Sequence, residues 1–299
     1  MSDGPKLDQI MSVLNLDVLC YLMRFLERQE LIPLMTTCHA LYSTGIPALL
    51  ALHINIRGER TSSSFFKFIH RDLRGRAQCL KRITLSAVHY DDAQKRGCVI
   101  REPNLSAAVM KQFIEVLLHA HYLEELNITL SHHTLELYPE LPSVLESLQS
   151  LRQLSISSSD NALDVTEIVS RLHTLEQLHL DIPDFTPEVA QLLQSQSRDF
   201  KKLTIHRRQI TVPATTQFPG LRYLNIDHHP DMALLPRVFP HLTHPHVQDR
   251  IFFGRESPQD IRARNLQAQA GSRAWPDLKV YTAASCRSTW RASGAASHG

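Results

Sequence analysis

The sequence predicts an α/β protein. A short N-terminal module of three helices leads into an irregular solenoid of strand-plus-helix units, with parallel strands on the concave side and helices outside. Three observations predict it. Apolar residues recur at helical spacing through roughly the first fifty positions. A pattern of the form LxxLxL then returns along the chain. Helical periodicity fills the stretches between its copies.

Composition narrows the function classes. Apolar residues make up 43% of the chain and charged residues 21%, which is globular rather than disordered. Net charge is +2, too small to pull the chain onto nucleic acid or an anionic membrane. The five cysteines are scattered and form no CxxC pair, so a zinc site of usual spacing is not expected and the thiols should be reduced. The apolar run Ile46 to Leu52 contains Pro47 and falls far short of the ~20 residues that span a bilayer. Met1 to Asp8 lacks the apolar core of a signal peptide. These features predict a soluble protein of the cytoplasm and/or nucleus, with no membrane partner.

The first helix is read from residues 14–26, LNLDVLCYLMRFL. Leu16, Leu19, Leu22, Met23 and Leu26 fall on one helical stripe, and Val18 and Phe25 widen it. Asn15 or Asp17 can cap its start. Glu27-Arg28-Gln29-Glu30 reads as a polar break. Leu31, Ile32, Leu34 and Met35 then begin a second helix, with Pro33 placed in its first turn. Cys38, Leu41 and Tyr42 start a third cluster, continued after Gly45 by Ile46, Leu49, Leu50 and Leu52. Three short helices make a marginal core and invite a partner over the leftover leucines. The plainer reading is a helical cap on whatever follows.

The run LNLDVLCYLMRFLERQELIPLMTTCHALY resembles an F-box. Leu14 stands at the family leucine, Asp17 at its acidic position, and Val18 and Leu19 at its aliphatic pair. Glu30-Leu31 matches the acidic-Leu step and Cys38 the terminal cysteine. Asn15 replaces the usual proline, and Leu41 stands where tryptophan is common. The resemblance implies docking on a Skp-type adaptor, itself bound to a cullin. On that basis the adaptor-binding residues are Leu14, Asn15, Asp17, Val18, Leu19, Leu22, Leu26, Leu31 and Leu34.

The recurring segments are LKRITLS at Leu80, LEELNIT at Leu123, LRQLSIS at Leu151, LEQLHLD at Leu175, FKKLTIH at Phe200 and LRYLNID at Leu221. From Leu123 onward their starts differ by 28, 24, 25 and 21 residues, the period of leucine-rich repeats. The first gap, 43 residues, reads as one repeat lengthened by the polar insertion Tyr90 to Glu102, with two degenerate repeats as the alternative. Helices are expected over Leu105 to His119, around Val144 to Leu148, after the Asp164/Glu167 capping pattern, and from Thr186-Pro187 through Leu193. Phe239-Pro-His-Leu242 and Trp275-Pro-Asp-Leu278 echo Phe218-Pro-Gly-Leu221, so one or two worn repeats close the stack. Ser257-Pro258 opens a possible helix to Gln269. The expected organisation is a tail (1–12), the F-box (13–52), the repeats (53–245), a degenerate C-terminal repeat or cap (246–282) and a disordered tail (283–299). This half of the chain resembles the leucine-rich part of F-box proteins.

Side chains alternate along a strand. With Leu126 and Ile128 inward, Glu125 and Asn127 face out, and the same register exposes Gln153, Ser155, Gln177, His179, Lys202, Thr204, Tyr223 and Asn225. These ten residues are the candidate target-binding face, with Tyr223 its best single anchor.

Other chemistries have weaker support. Histidine clusters at His132-His133, His228-His229 and His241, His244, His246 lack metal-ligand spacing. There is no GxSxG, phosphate-cradling glycine run or HExxH. The arginines near Arg71 to Arg82 are mixed with Asp72 and lack stacking aromatics. The expectation is a non-enzyme without metal, cofactor or nucleic-acid partner. Its function would be the substrate-recognition adaptor of a Skp–cullin–F-box ubiquitin ligase, binding a target protein for ubiquitination. The alternative is a leucine-rich-repeat interaction scaffold with no ligase role.

Overall fold

The computed structural model describes residues 16–86, 105–130, 134–158, 165, 168–182, 186–195, 200–206, 215–226, 235–249 and 282–285. The fold is α/β, and the chain divides into two compact units, Met1–Ser157 and Ser158–Gly299.

The first unit opens with α1 (Leu16–Leu22), which tightens into a 3-10 turn, Met23–Phe25. The tetrad expected as a polar break is instead the cap and first turn of α2 (Arg28–Met35). Glu27 takes a backbone N–H on its carboxylate, and Glu30 Oε2 accepts from the Glu27 N–H at 3.1 Å, a reciprocal capping box. Pro33 therefore lies inside this helix rather than in its first turn, where its missing N–H leaves one turn unbonded. The helix ends two residues later.

The third cluster is one continuous helix, α3 (His39–Ala51), running through both Gly45 and Pro47. Gly45 is buried where the side chains of Met23 and Met35 press on the helix. A Cβ there would stand 2.5 Å from Met23 Cε and 2.8 Å from Met35 Sδ. The close approach of three helices depends on that missing carbon.

Four strands follow, the last ending one residue past the unit's boundary: β1 (His53–Arg57), β2 (Arg82–Ser86), β3 (Glu125–Leu130) and β4 (Gln153–Ser158). They stand side by side in chain order. Pairing is parallel, with His53 opposite Arg82 and Arg82 opposite Glu125. That direct β2–β3 pairing means the long first gap is a single lengthened unit; its insertion lies outside the described residues. Strand β1 was not anticipated. In its register Ala51 occupies the place of Leu80, so the motif is worn at its first position.

Helices bridge successive strands. Gly58, at φ 74°, turns the chain out of β1 into α4 (Glu59–His70), a backbone angle that favours glycine. Short α5 (Leu73–Gln78) follows, capped by Asp72 through Gly75 N–H. Next come α6 (Ala107–His119), capped by Ser106, then α7 (Thr134–Leu137) and α8 (Leu141–Glu146). The core lies between these helices and the alternate strand residues Ile54, Ile56, Ile83, Leu85, Leu126 and Ile128, all buried. Phe66 and Phe113 pack across it at 6.0 Å between ring centroids.

The second unit repeats the plan with β5 (Gln177–Asp181), α9 (Pro187–Ser195), β6 (Lys202–Ile205), β7 (Tyr223–Ile226), α10 (Leu235–Val238), β8 (His244–Asp249) and β9 (Thr282–Ser285). These strands also pair in parallel and in order. The echoes of Phe-Pro-Gly-Leu mark real strands: Tyr223 lies opposite His244, and His246 opposite Thr282. Phe218 and Phe239, from two of those echoes, stack at 5.2 Å. Strand β9 takes Ala283 to Ser285, where a structureless tail was expected to begin. Small side chains do not prevent it, because ladder bonds use only the backbone. The capping pattern at Asp164, the helix from Ser257 and residues 286–299 lie outside the described residues.

One local device recurs at the strand entries. The residue before a strand offers a carbonyl that accepts two successive N–H groups of the next strand. Lys81 O takes those of Glu124 and Glu125, and Glu124 O takes those of Arg152 and Gln153. Glu176, Lys201 and Arg222 repeat the arrangement in the second unit. Side chains at the same position pair as Lys81–Glu124 at 2.9 Å and Glu176–Lys201 at 2.7 Å.

Candidate interaction surfaces

The N-terminal helices divide their apolar residues between buried and exposed positions. Leu19, Met23, Leu31, Met35 and Leu41 are buried inside the unit. Leu16, Val18, Tyr21, Leu22, Phe25 and Ile32 remain exposed, with Tyr21 at 59% and Phe25 at 68%. Tyr21 and Phe25 meet edge to face at 5.1 Å, so the outer face carries an ordered aromatic pair. An apolar group this dense is unusual on a surface with nothing to cover it.

This geometry redistributes the sequence-derived adaptor contacts. Leu14 and Asn15 lie outside the described residues. Asp17, Val18 and Leu22 are exposed, while Leu26 and Leu34 are half-buried. Leu19 and Leu31, at 8% and 0% exposure, fill the chain's own core and offer a partner almost nothing. The single stripe read from the sequence was too wide for one face. A helix turn advances 100° per residue, so Leu19 and Met23 point inward while Val18, Leu22 and Phe25 point out. Leu16, Tyr21, Phe25 and Ile32 are also exposed and were not among the adaptor contacts picked from the sequence. The spacing Val18, Leu22, Phe25 was the available signal for a second stripe.

The second surface is the polar side of the strands. In the first unit Glu125, Asn127, Gln153 and Ser155 are half-buried, as expected of side chains standing shoulder to shoulder. Asn127 Nδ2 donates to Thr84 Oγ1 at 3.0 Å and to Glu125 Oε1 at 3.1 Å. His53 Nε2 lies 2.8 Å from the same Thr84 hydroxyl. A chain of hydrogen bonds thus runs across three strands. His53, Asn55 and Arg57 extend the row to β1 and were not foreseen, because that strand was not.

In the second unit Gln177, His179 and Asn225 are half-buried, and Lys202 and Tyr223 are exposed. Thr204 is 5% exposed and does not belong to an accessible face. It is a short side chain walled in by His179 and Asn225 on the flanking strands. The Tyr223 ring stacks on His244 at 4.4 Å and 15°. His179 and His206 approach at 4.5 Å. Asn225 Oδ1 is buried without a hydrogen-bond partner among the described residues.

Among the described residues no group of three His, Cys, Asp or Glu is arranged to hold a metal ion. His132-His133 and His228-His229 lie outside them. No described helix is long and apolar enough to cross a membrane. Of the arginines near β2, Arg76 donates to the Phe68 carbonyl and lies 4.2 Å over its ring, so it is engaged internally. No family model matches the sequence, and no curated protein matches it.

Proposed function

We propose that the chain is the substrate-recognition adaptor of a Skp–cullin–F-box ubiquitin ligase, and not itself an enzyme. In this reading α1 to α3 form the F-box, and the exposed Leu16, Val18, Tyr21, Leu22 and Phe25 dock on the helices of a Skp-type adaptor. The parallel strands and their helices form a leucine-rich-repeat solenoid whose polar strand face receives a target protein.

The observation that supports it is the unfilled apolar face, lying in the segment that resembles an F-box. Covering the apolar area these side chains still expose favours association by about 25 cal/mol per Å², against the cost of immobilising two partners. The face is built on helices, which suits a helical partner. On the other surface, a row of polar side chains on neighbouring strands suits a protein target.

Co-expression with a Skp-type adaptor tests the reading. The wild-type chain is expected to co-purify with the adaptor, and a chain with Leu22→Asp and Phe25→Asp is not. Failure of the wild-type chain to bind would leave the interaction scaffold without a ligase role as the better account.

A further inference from the structure

We propose that the outer edge of β1, with the apolar groove beside it, is a second docking site that takes an extended, acid-flanked peptide segment of a partner protein by strand addition. This goes beyond the reading above and does not depend on it.

The argument begins with backbone parity. In a parallel ladder, alternate residues of a strand bond one neighbour, and the residues between them point the other way. Gly58 N–H donates to Ser86 O at 2.9 Å, and β1 lies opposite β2 with His53 against Arg82. Ile54, Ile56 and Gly58 therefore face β2. The N–H and C=O groups of His53, Asn55 and Arg57 face outward, where β1 is the first strand in the order. Arg28 Nη2 reaches the His53 carbonyl at 3.0 Å from α2, which fits this parity and closes one end of the edge. Among the described residues the Asn55 N–H and C=O have no backbone partner on that side and can receive an added strand.

Beside that edge lies a groove of about 420 Å³. Ile32, Leu49, Phe65 and Phe68 supply its apolar walls, and Asn55 and Arg28 line its rim. An added strand would drop every second side chain into this groove, as each strand of the sheet does with its own inward residues. Charge sets the flanks. Among the described residues Arg28 and Arg57 are exposed and in no ion pair, and no carboxylate lines the groove. The matching segment is extended, carries alternate apolar residues, and ends in carboxylates.

The test uses the full chain and a fluorescein-labelled, capped heptapeptide: glutamate, valine, threonine, leucine, threonine, valine, glutamate. Anisotropy should show saturable binding. Two further peptides carry N-methyl groups, one on the odd residues and one on the even. Strand addition predicts that one binds like the parent and the other at least tenfold weaker, since only one edge of the peptide pairs. Lysine in place of both glutamates should also cost at least tenfold. Asn55→Pro removes the outward N–H at a position where an edge strand tolerates proline, and should abolish binding. If that variant loses its fold by circular dichroism, Ile32→Glu, on an exposed helix position, replaces it and should weaken binding at least tenfold. No saturable binding, or equal binding by both N-methylated peptides, overturns the proposal.

Discussion

His70 Nε2 lies 3.0 Å from Glu115 Oε2, while His70 Nδ1 lies 2.8 Å from the Phe66 carbonyl. Both ring nitrogens thus face acceptors, an arrangement only the imidazolium satisfies by donating twice. Burial works against the charge, but the Glu115 carboxylate and the Phe66 carbonyl outweigh it and hold the pKa above the usual histidine value. The pair ties α4 to α6. A pKa raised by folding stabilises the protein fully below the unfolded value, near 6.5, and the contribution is lost as pH rises through the folded value. Urea denaturation is therefore expected to show slightly lower stability at pH 8 than at pH 6. Glu115 is exposed, so the difference should not exceed about 1 kcal/mol. Glu115→Gln should flatten this part of the profile, and an unchanged slope would count against the pair.

The α/β class and most strand positions were legible because the LxxLxL copies fix both the buried residues and the register. Leu126 and Ile128 are buried, and Gln177 lies opposite Lys202 as the motif spacing requires. What escaped was set by worn or doubled signals. Strand β1 carries Ala51 where the motif has leucine, so only the alternation His53 to Arg57 remained to mark it. The start of α2 was hidden because four charged or polar residues resemble a linker, although Glu27 and Glu30 form its capping box. On α1 apolar residues are so dense that spacing alone did not separate the inward Leu19 from the outward Leu22. On the polar strand face, register placed Thr204 correctly but gave no warning that its larger neighbours would bury it.

Gly45→Ala is expected to destabilise the N-terminal unit. Alanine gains about 1 kcal/mol over glycine in a helix interior. The new methyl would overlap Met35 along its stem as well as Met23 at its tip, and such overpacking costs about 1–3 kcal/mol. The net expectation is a loss of up to about 2 kcal/mol, read as a lower urea midpoint at constant slope. A stabilised variant would show that both methionines move aside freely.

Cys79 should react slowly. Burial pushes its thiol pKa up, and the Asp72 carboxylate raises it further. Cys38 is exposed. Limited alkylation with iodoacetamide at pH 7.5, followed by peptide mass spectrometry, should label Cys38 well before Cys79. Asp72→Asn keeps an N-cap for α5 while removing the charge, so it should speed labelling of Cys79 without unfolding the helix.

The division of α1 into an inner and an outer stripe makes the docking proposal testable by contrast. Leu22→Asp with Phe25→Asp places two charges on side chains that are 43% and 68% exposed, so the folded chain should lose little stability. The same charges would be buried in a complex with the adaptor, each unpaired and costly there. Adaptor binding should therefore fall by more than a hundredfold at nearly unchanged thermal stability. Leu19→Asp does the opposite: it buries a charge in the free chain, at 8% exposure, and should lower the melting temperature by several degrees before any partner is added. Only a face that waits for a partner separates the two variants in this way. Full adaptor binding by the Leu22→Asp, Phe25→Asp chain would mean that α1 contacts the adaptor through other residues or not at all.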